Sequence, residues 1–307
     1  MKNLLSLKWV MLVILALIWG SSFILMKQGL KGFPPDQVAA IRMVIACIAT
    51  TLFAVRRFKN LKIGSIKYMA IVGAVGSGIP ALLFAIAQTK LSSYLAGMLN
   101  ALTPLFTMLI GILFFHSKFK NRQIIGVLIG FLGAAGLVFI RSEGGISGEV
   151  LFALLIVIAT CGYGISVNVI KTFLADQDAL LISAISLLIV GIPYGIYLST
   201  TDFPVRLLEL PEAKMAFLSL ATLSIFGTSF ASILYFNLVK SAGPLFASAV
   251  TYFMPIISLF WGVVDGEAFN PLHILALLTI LAGVALISWK GELQVGNLYK
   301  GLKNKEQ

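Results

Sequence analysis

The sequence predicts an all-α integral membrane protein with ten transmembrane helices, arranged as two inverted five-helix repeats. Three observations support this prediction: the apolar composition, ten apolar runs of membrane-spanning length, and an internal repeat that divides them into two sets of five. Of the 307 residues, 59% are hydrophobic and 11% are charged, whereas soluble domains have about 25% charged residues. The apolar residues exceed what one core can bury, so lipid must solvate much of the surface.

The ten apolar runs are each close to the roughly 20 residues that a spanning helix needs. Their predicted limits are 9–26, 37–55, 66–87, 92–115, 124–140, 148–169, 179–199, 215–238, 244–264 and 272–289. The first run follows Lys2 and Lys8, as a secretory signal would. Because no small-x-small cleavage site comes after it, we expect a retained helix.

The charge between the runs predicts the topology. With a cytoplasmic N-terminus, the cytoplasmic segments hold 16 Lys and Arg residues and the external segments hold six, while Arg42 lies within a span. This bias predicts a multi-pass protein of the bacterial-type inner membrane with both termini in the cytoplasm. The net charge of +11 is spread over short tracts between apolar runs, so we expect a lipid bilayer and no nucleic acid as partner.

The chain also resembles itself. A shift of 151 residues places Gly76 on Gly227, Phe84 on Tyr235, Ala96 on Ala247, Pro104 on Pro255 and Gly111 on Gly262. A shift of 144 places Trp19-Gly20-x-Ser22 on Tyr163-Gly164-x-Ser166. We therefore predict one repeat over residues 9–141, a second over 148–289, and a basic cytoplasmic tail over 290–307. Because five spans is an odd number, the two repeats must have opposite orientations in the bilayer.

Several of these residues also form a known pattern. Trp19-Gly20-Ser21-Ser22-Phe23 resembles the opening signature of the EamA family in the drug/metabolite transporter superfamily, and Arg42 matches a position where that family often has Arg. The fullest match is Tyr235-Phe236-Asn237-Leu238 through Ala247-Ser248, Pro255, Gly262 and Gly266-Glu267. The resemblance implies a ten-helix transporter, often an exporter of amino acids or related metabolites. The chain departs from the family at Phe115-His116, where Gly-Glu is usual, and at Ser186, which replaces a second Arg.

The positions of the acidic residues narrow the cargo. Asp36, Glu143, Asp265 and Glu267 fall at the ends of predicted spans or in external loops, and no carboxylate lies deep within a span. An intramembrane acid is the usual device for binding a cation and exchanging it for protons. We therefore expect a neutral or zwitterionic small molecule as substrate rather than a cationic drug.

Three polar or aromatic residues of the first two spans are candidates for substrate binding. Arg42 lies about 9 Å into its helix, at 1.5 Å per residue from Asp36. It either attracts a substrate carboxylate or extends to the interface and pairs with a backbone carbonyl. Trp19 lies halfway along the first span, where it either stacks on substrate or packs between helices. Ser22 binds substrate only if its helix face points inward; otherwise it allows close helix contact.

Two prolines mark a second group of candidates. Asn100 and Thr103 precede Pro104, as Thr251 and Tyr252 precede Pro255 in the second half. A proline removes one helical hydrogen bond and kinks the helix, leaving nearby carbonyls available. We predict substrate-binding residues at these two kinks, together with Tyr235; the alternative is that they only bridge helices.

These features together predict a secondary transporter that exports a small polar metabolite by alternating access. The alternatives left open are uptake of a metabolite or vitamin, and a membrane sensor or intramembrane enzyme. We expect no enzymatic activity, no cofactor and no metal, because His116 and His273 are isolated and no phosphate-binding loop is present. The glycine spacing from Gly126 to Gly136 indicates close helix packing or a homodimer, and we favour packing.

Overall fold

The structure is a computed structural model that describes residues 2–140, 149–267 and 271–288. Every regular element in these ranges is helical, and the described residues contain no β-strand. Eight of the described helices are long and apolar enough to cross a membrane. The predicted tail at 290–307 and the predicted span ends at 148 and 289 lie outside the described residues.

The main helices follow the predicted apolar runs. The first half contains α1 (Lys2–Gly29), α2 (Pro35–Ala54), α3 (Ile63–Ala87), α4 (Ser93–Phe115) and α5 (Asn121–Ile140). The second half contains α6 (Glu149–Phe173), α7 (Ala179–Ser199), α8 (Ala213–Ala242), α9 (Pro244–Val264) and α10 (Leu272–Ser288). The eight candidate spans lie on α1–α4 and α6–α9; that α5 and α10 also cross the membrane stays a prediction. A short helix, Phe203–Glu209, lies in the predicted loop before α8.

Local chemistry explains several helix ends. Pro35 begins α2. The backbone N–H groups of the first helical turn have no acceptor within the helix, so the N–H that proline lacks is not needed there. The Asp178 carboxylate caps α7 by accepting hydrogen bonds from the N–H groups of Leu180 and Leu181 at 2.9 and 3.3 Å. Gly243 ends α8 with a φ of 89°, which favours glycine. His116 ends α4 in the left-handed region at a φ of 49°.

Four of the helices are irregular near their middle. A π-helical turn interrupts α3 at Ala74–Gly78 and α8 at Leu223–Phe230. A 3₁₀ turn interrupts α4 at Asn100–Leu102 and α9 at Ala249–Tyr252, just before Pro104 and Pro255 respectively. Such turns change the hydrogen-bond register of the backbone and often mark functional positions.

Helices of the two halves pack closely on each other. In the bundle, α1 packs on α8 and α9, α6 packs on α3 and α4, and α2 and α7 pack on each other. Small residues permit the close approach of α5 and α10: a Cβ added to Gly283 would lie 2.5 Å from the carbonyl oxygen of Gly126. The predicted glycine stripe therefore serves packing within the chain. The homodimer stays a prediction.

The outer surface of the bundle is strongly apolar. Leu52, Phe53, Leu113 and Phe114 are 68–76% exposed. Soluble monomers rarely expose a large contiguous apolar surface. Helices with such a surface are stable in the hydrocarbon core of a membrane. Polar side chains are instead found inside the bundle, where they form the site described next.

Candidate functional site

A cavity lies in the interior of the bundle, between the two halves. Its lining comes from α1, α2, α3 and α4 in the first half and from α6, α8 and α9 in the second. The lining residues are Trp19, Ser22, Phe23, Met26, Arg42, Gly76, Ser77, Phe84, Asn100, Thr103, Tyr163, Ser166, Val167, Gly227, Thr228, Ser232, Tyr235, Phe236, Thr251 and Met254.

The structure brings seven of the eight sequence-predicted site residues together around this cavity. They are Trp19, Ser22, Arg42, Asn100, Thr103, Tyr235 and Thr251. The eighth, Tyr252, lies outside the cavity lining, fully buried and packed against Gly130 of α5. That any of these residues binds substrate stays a prediction.

Aromatic rings form one wall of the cavity. The indole N–H of Trp19 donates a 2.8 Å hydrogen bond to the carbonyl oxygen of Gly227, within the π-helical turn of α8. The same indole meets the Tyr235 ring edge-on, with ring centroids 4.9 Å apart. Phe84 stacks on Tyr163 with centroids 6.2 Å apart. These contacts fix the rings, and rigid rings are suited to binding an apolar or planar group.

Glycines in the two π-helical turns allow neighbouring helices to approach the cavity. A Cβ at Gly76 would collide with the Ser166 hydroxyl of α6, and a Cβ at Gly227 would lie 2.8 Å from the Ser22 hydroxyl of α1. Only the absence of a side chain lets the α3 and α8 backbones come this close. Ser22 itself donates to the carbonyl oxygen of Ile18 at 2.9 Å, so its lone pairs are the part that a ligand can use.

Arg42 places a positive charge in the cavity. Its Nε donates a 2.8 Å hydrogen bond to the Thr228 hydroxyl of α8, 186 residues away. Among the described residues, no carboxylate lies within ion-pair distance of this guanidinium. The sequence left two interpretations of Arg42 open, binding of a substrate carboxylate or extension to the interface. In the structure Arg42 lies in the cavity lining.

Asn100 is 4% exposed and has weak partners. Its amide nitrogen lies 3.5 Å from the sulfur of Met254, and its carbonyl oxygen accepts from the Thr103 hydroxyl at 3.3 Å. A thioether is a poor acceptor, so the amide retains hydrogen-bonding capacity that a ligand could satisfy. The hydroxyl of Thr251, at the equivalent turn of α9, donates to the Ser248 carbonyl at 2.9 Å.

Sequence reasoning missed several lining residues. Tyr163 and Ser166 had a usable signal, because the internal repeat aligns them with Trp19 and Ser22. Ser77 and Thr228 follow the aligned glycines of the π-helical turns and are related by the same shift of 151. Their side chains are small and common in membrane helices, so composition does not distinguish them.

A cluster of charged groups joins three helices at the end of the bundle where α1 terminates. Lys27 lies 2.7 Å from both the Asp265 and the Glu267 carboxylates, which follow α9. Glu267 also accepts a 3.1 Å hydrogen bond from the backbone N–H of Ser93, at the start of α4. The hydrogen bond from Lys27 holds the pKa of the Asp265 carboxyl below its ordinary value. We call Lys27, Ser93, Asp265 and Glu267 the terminal ion cluster.

Metal-binding chemistry has no candidate in this part of the chain. Within residues 2–140, 149–267 and 271–288, no three His, Cys, Asp or Glu side chains are grouped closely enough to hold an ion.

An apolar exterior around a bundle of long apolar helices, with a polar and aromatic cavity inside, defines an integral membrane protein with an internal cavity. The profile of the EamA-like transporter family matches the chain twice, at residues 7–139 and 150–289. The chain therefore belongs to the EamA-like transporter family.

Individual relatives agree with this assignment. The chain is 26% identical over 280 residues to the "Uncharacterized inner membrane transporter YedA" of Escherichia coli (strain K12), covering 89% of this chain and 88% of that protein. It is 23% identical over 257 residues to an "Uncharacterized transporter" of Archaeoglobus fulgidus, covering 83% and 88% respectively. A crystal structure with 17% sequence identity superposes with a TM-score of 0.68 over 92% of this chain and 96% of that one. The last comparison shows a shared fold.

Proposed function

We propose that this protein is a secondary transporter that exports a small polar metabolite across the inner membrane by alternating access. The observation that supports this most directly is the internal cavity, to which the two halves contribute ten lining residues each. A site shared between two halves becomes accessible from either side when the halves change their relative position. The export direction rests on the family resemblance, and the inner-membrane location on the name of the Escherichia coli relative.

The proposed architecture is ten spans in two inverted repeats, residues 9–141 and 148–289. Three features support it. The family profile matches each half separately; the π-helical and 3₁₀ turns occur at equivalent places in both; and the helix contacts correspond, since α1 packs on α9 as α6 packs on α4.

The cavity lining follows the same symmetry. Eight of the ten lining residues in each half form pairs under the shifts of 144 and 151. The pairs are Trp19 with Tyr163, Ser22 with Ser166, Phe23 with Val167, Gly76 with Gly227, Ser77 with Thr228, Phe84 with Tyr235, Asn100 with Thr251 and Thr103 with Met254. This correspondence supports a site formed at the interface of two repeats, as in alternating-access transporters.

Contacts between the halves are present at both ends of the bundle. At one end, Lys27 of α1 bonds the carboxylates that follow α9. At the other end, Tyr68 of α3 stacks on Phe173 of α6 with centroids 4.3 Å apart, and Trp9 of α1 meets Phe246 of α9 edge-on at 5.3 Å. If both termini are cytoplasmic, as proposed, the first set closes the external side and the second the cytoplasmic side.

Solute flux into proteoliposomes tests the proposal. Purified protein would be screened over amino acids, organic acids, amides and dyes, with and without a pH gradient. We expect at least one polar metabolite to be moved; a folded protein that moves no solute would refute the transporter assignment. Solute-dependent proton movement would contradict the argument from missing intramembrane carboxylates.

Asn100→Ala provides the test at residue level. Since the Asn100 amide lines the cavity with weak partners, its removal should lower flux by about tenfold, the effect of one ligand hydrogen bond of about 1 kcal/mol or slightly more. Asn237→Ala is the matched control, because Asn237 is exposed and bonds only its own helix at the Ile233 carbonyl. Unchanged flux in Asn100→Ala would remove Asn100 from the site.

A further inference from the structure

We propose that the cavity selects solutes that have a free carboxylate, and that Arg42 is the residue that binds this group, held in position by Thr228. This inference rests on the proposed function, because it assumes that the transported solute occupies the cavity. It goes beyond that function by naming the chemical group that a substrate must have.

Arg42 forms a hydrogen bond through Nε, and its two terminal amino groups stay available for a ligand. A guanidinium has five N–H donors in a planar fork. The Nε donor bonds the Thr228 hydroxyl at 2.8 Å, and the contacts within the described residues include no acceptor for the two terminal amino groups. Thr228 thus fixes the stem of the fork, while the end that matches a carboxylate in a two-bond arrangement stays open to the cavity.

The charge balance of the cavity points the same way. The cavity lining contains Arg42 and no acidic residue. An uncompensated charge within a membrane span is costly and is kept where it has a use. A solute carboxylate would neutralise this charge during binding.

Four acidic residues near the same end of the bundle have other partners. Asp36 accepts a 2.6 Å hydrogen bond from the Tyr197 hydroxyl. Asp202 lies 2.7 Å from Arg206, and both Asp265 and Glu267 bond Lys27 in the terminal ion cluster. None of these four carboxylates forms an ion pair with Arg42.

The internal symmetry of the lining also identifies Arg42 as special. Most lining residues have a lining counterpart in the other half, but the position equivalent to Arg42 is Ser186, whose hydroxyl donates to the Met69 carbonyl at 2.8 Å outside the cavity lining. The cavity lining therefore combines one cationic side chain with several aromatic rings. A solute with a free carboxylate and a partly apolar body fits this arrangement, whereas a solute with only an ammonium group does not.

A ligand-free stability measurement separates this role from a structural one. If Arg42 is an uncompensated charge kept for a ligand, Arg42→Met should raise the unfolding temperature in detergent by a few degrees, about 2–4 °C. Arg56→Met, at the exposed cytoplasmic-side end of the same helix region, is the control and should leave it unchanged. A marked fall in Arg42→Met would show that Arg42 mainly ties α2 to α8, and would overturn the proposal.

A matched solute series tests the substrate class. Solutes would be compared as sets with one body and three head groups (for example 3-phenylpropanoate, its amide and the corresponding amine) by binding to purified protein and by flux. We expect binding and flux of the carboxylate to exceed those of the amide by roughly 10- to 100-fold, and this advantage to disappear in Arg42→Gln. Amides or amines moved as well as carboxylates would overturn the inference and leave the transporter intact. A folded protein that neither binds nor moves any solute would instead refute the proposed function.

Discussion

The terminal ion cluster allows a quantitative test of how strongly α1 is tied to the end of α9. The perturbation is a double-mutant cycle between Lys27→Met and Glu267→Gln. The two charged groups are 2.7 Å apart, with side chains 32% and 8% exposed. At that distance the Coulomb attraction is about 1.5 kcal/mol even at the dielectric constant of water. Partial burial strengthens it, whereas desolvation and lost side-chain entropy weaken it. We expect a coupling free energy of about 1–2 kcal/mol.

The assay is equilibrium unfolding of the four proteins in detergent micelles, from which the coupling is the departure from additivity. Lys62 and Asp176 provide the control pair: they are 2.6 Å apart, but their side chains are 62% and 69% exposed, so the same cycle should show a clearly smaller coupling, of about 0.5 kcal/mol or less. Additive effects in the Lys27–Glu267 cycle would refute the reasoning, because they would mean that the burial of Glu267 adds nothing to the pair.

Two further predictions concern stability. The hydrogen bond from Lys27 holds the pKa of Asp265 below its ordinary value, so the contribution of this carboxylate to stability is fully present above about pH 4 and is lost as the pH falls through the lowered pKa. Asp265→Asn should therefore be less stable than the unmodified protein at pH 7 and should lose less stability on acidification. The measurement is the unfolding temperature from pH 7 to pH 3. His116 lies in the left-handed region at a φ of 49°, so His116→Gly should gain up to about 1 kcal/mol, whereas His116→Ala, which keeps the strain, should not. Equal stability of the two His116 variants would contradict this account.

The sequence determined much of the local structure. The apolar runs predicted where helices occur, and their limits agree with the described helices to within a few residues, apart from α1, which begins at Lys2, and the short helix Phe203–Glu209. Proline positions predicted irregularity in α4 and α9, and a 3₁₀ turn precedes each proline. The π-helical turns of α3 and α8 had no sequence signal beyond the aligned glycines, because they depend on what packs against them.

The candidate site residues also divide into those that the sequence identified and those whose position only the tertiary structure shows. Trp19 and Ser22 could be proposed because a motif marked them, and Tyr163 could have been proposed through the repeat. Tyr252 precedes Pro255 much as Asn100 precedes Pro104, yet its ring lies against α5 and Asn100 lines the cavity. In a 3₁₀ turn each residue rotates further about the helix axis than it does in an α-helix, so the residues that follow point in other directions. Adjacency to a proline therefore does not tell which residue faces inward.

The sequence by itself identified this chain as a helical membrane protein, because transfer from water to lipid depends on local composition. It also predicted two related halves, because a repeat is visible in the order of the residues. Only the tertiary structure decided which polar groups meet. Arg42 and Thr228 are 186 residues apart, and Lys27 meets Glu267 across 240. Such pairs depend on the rotation of each helix about its axis, which is set by the packing of small residues between helices.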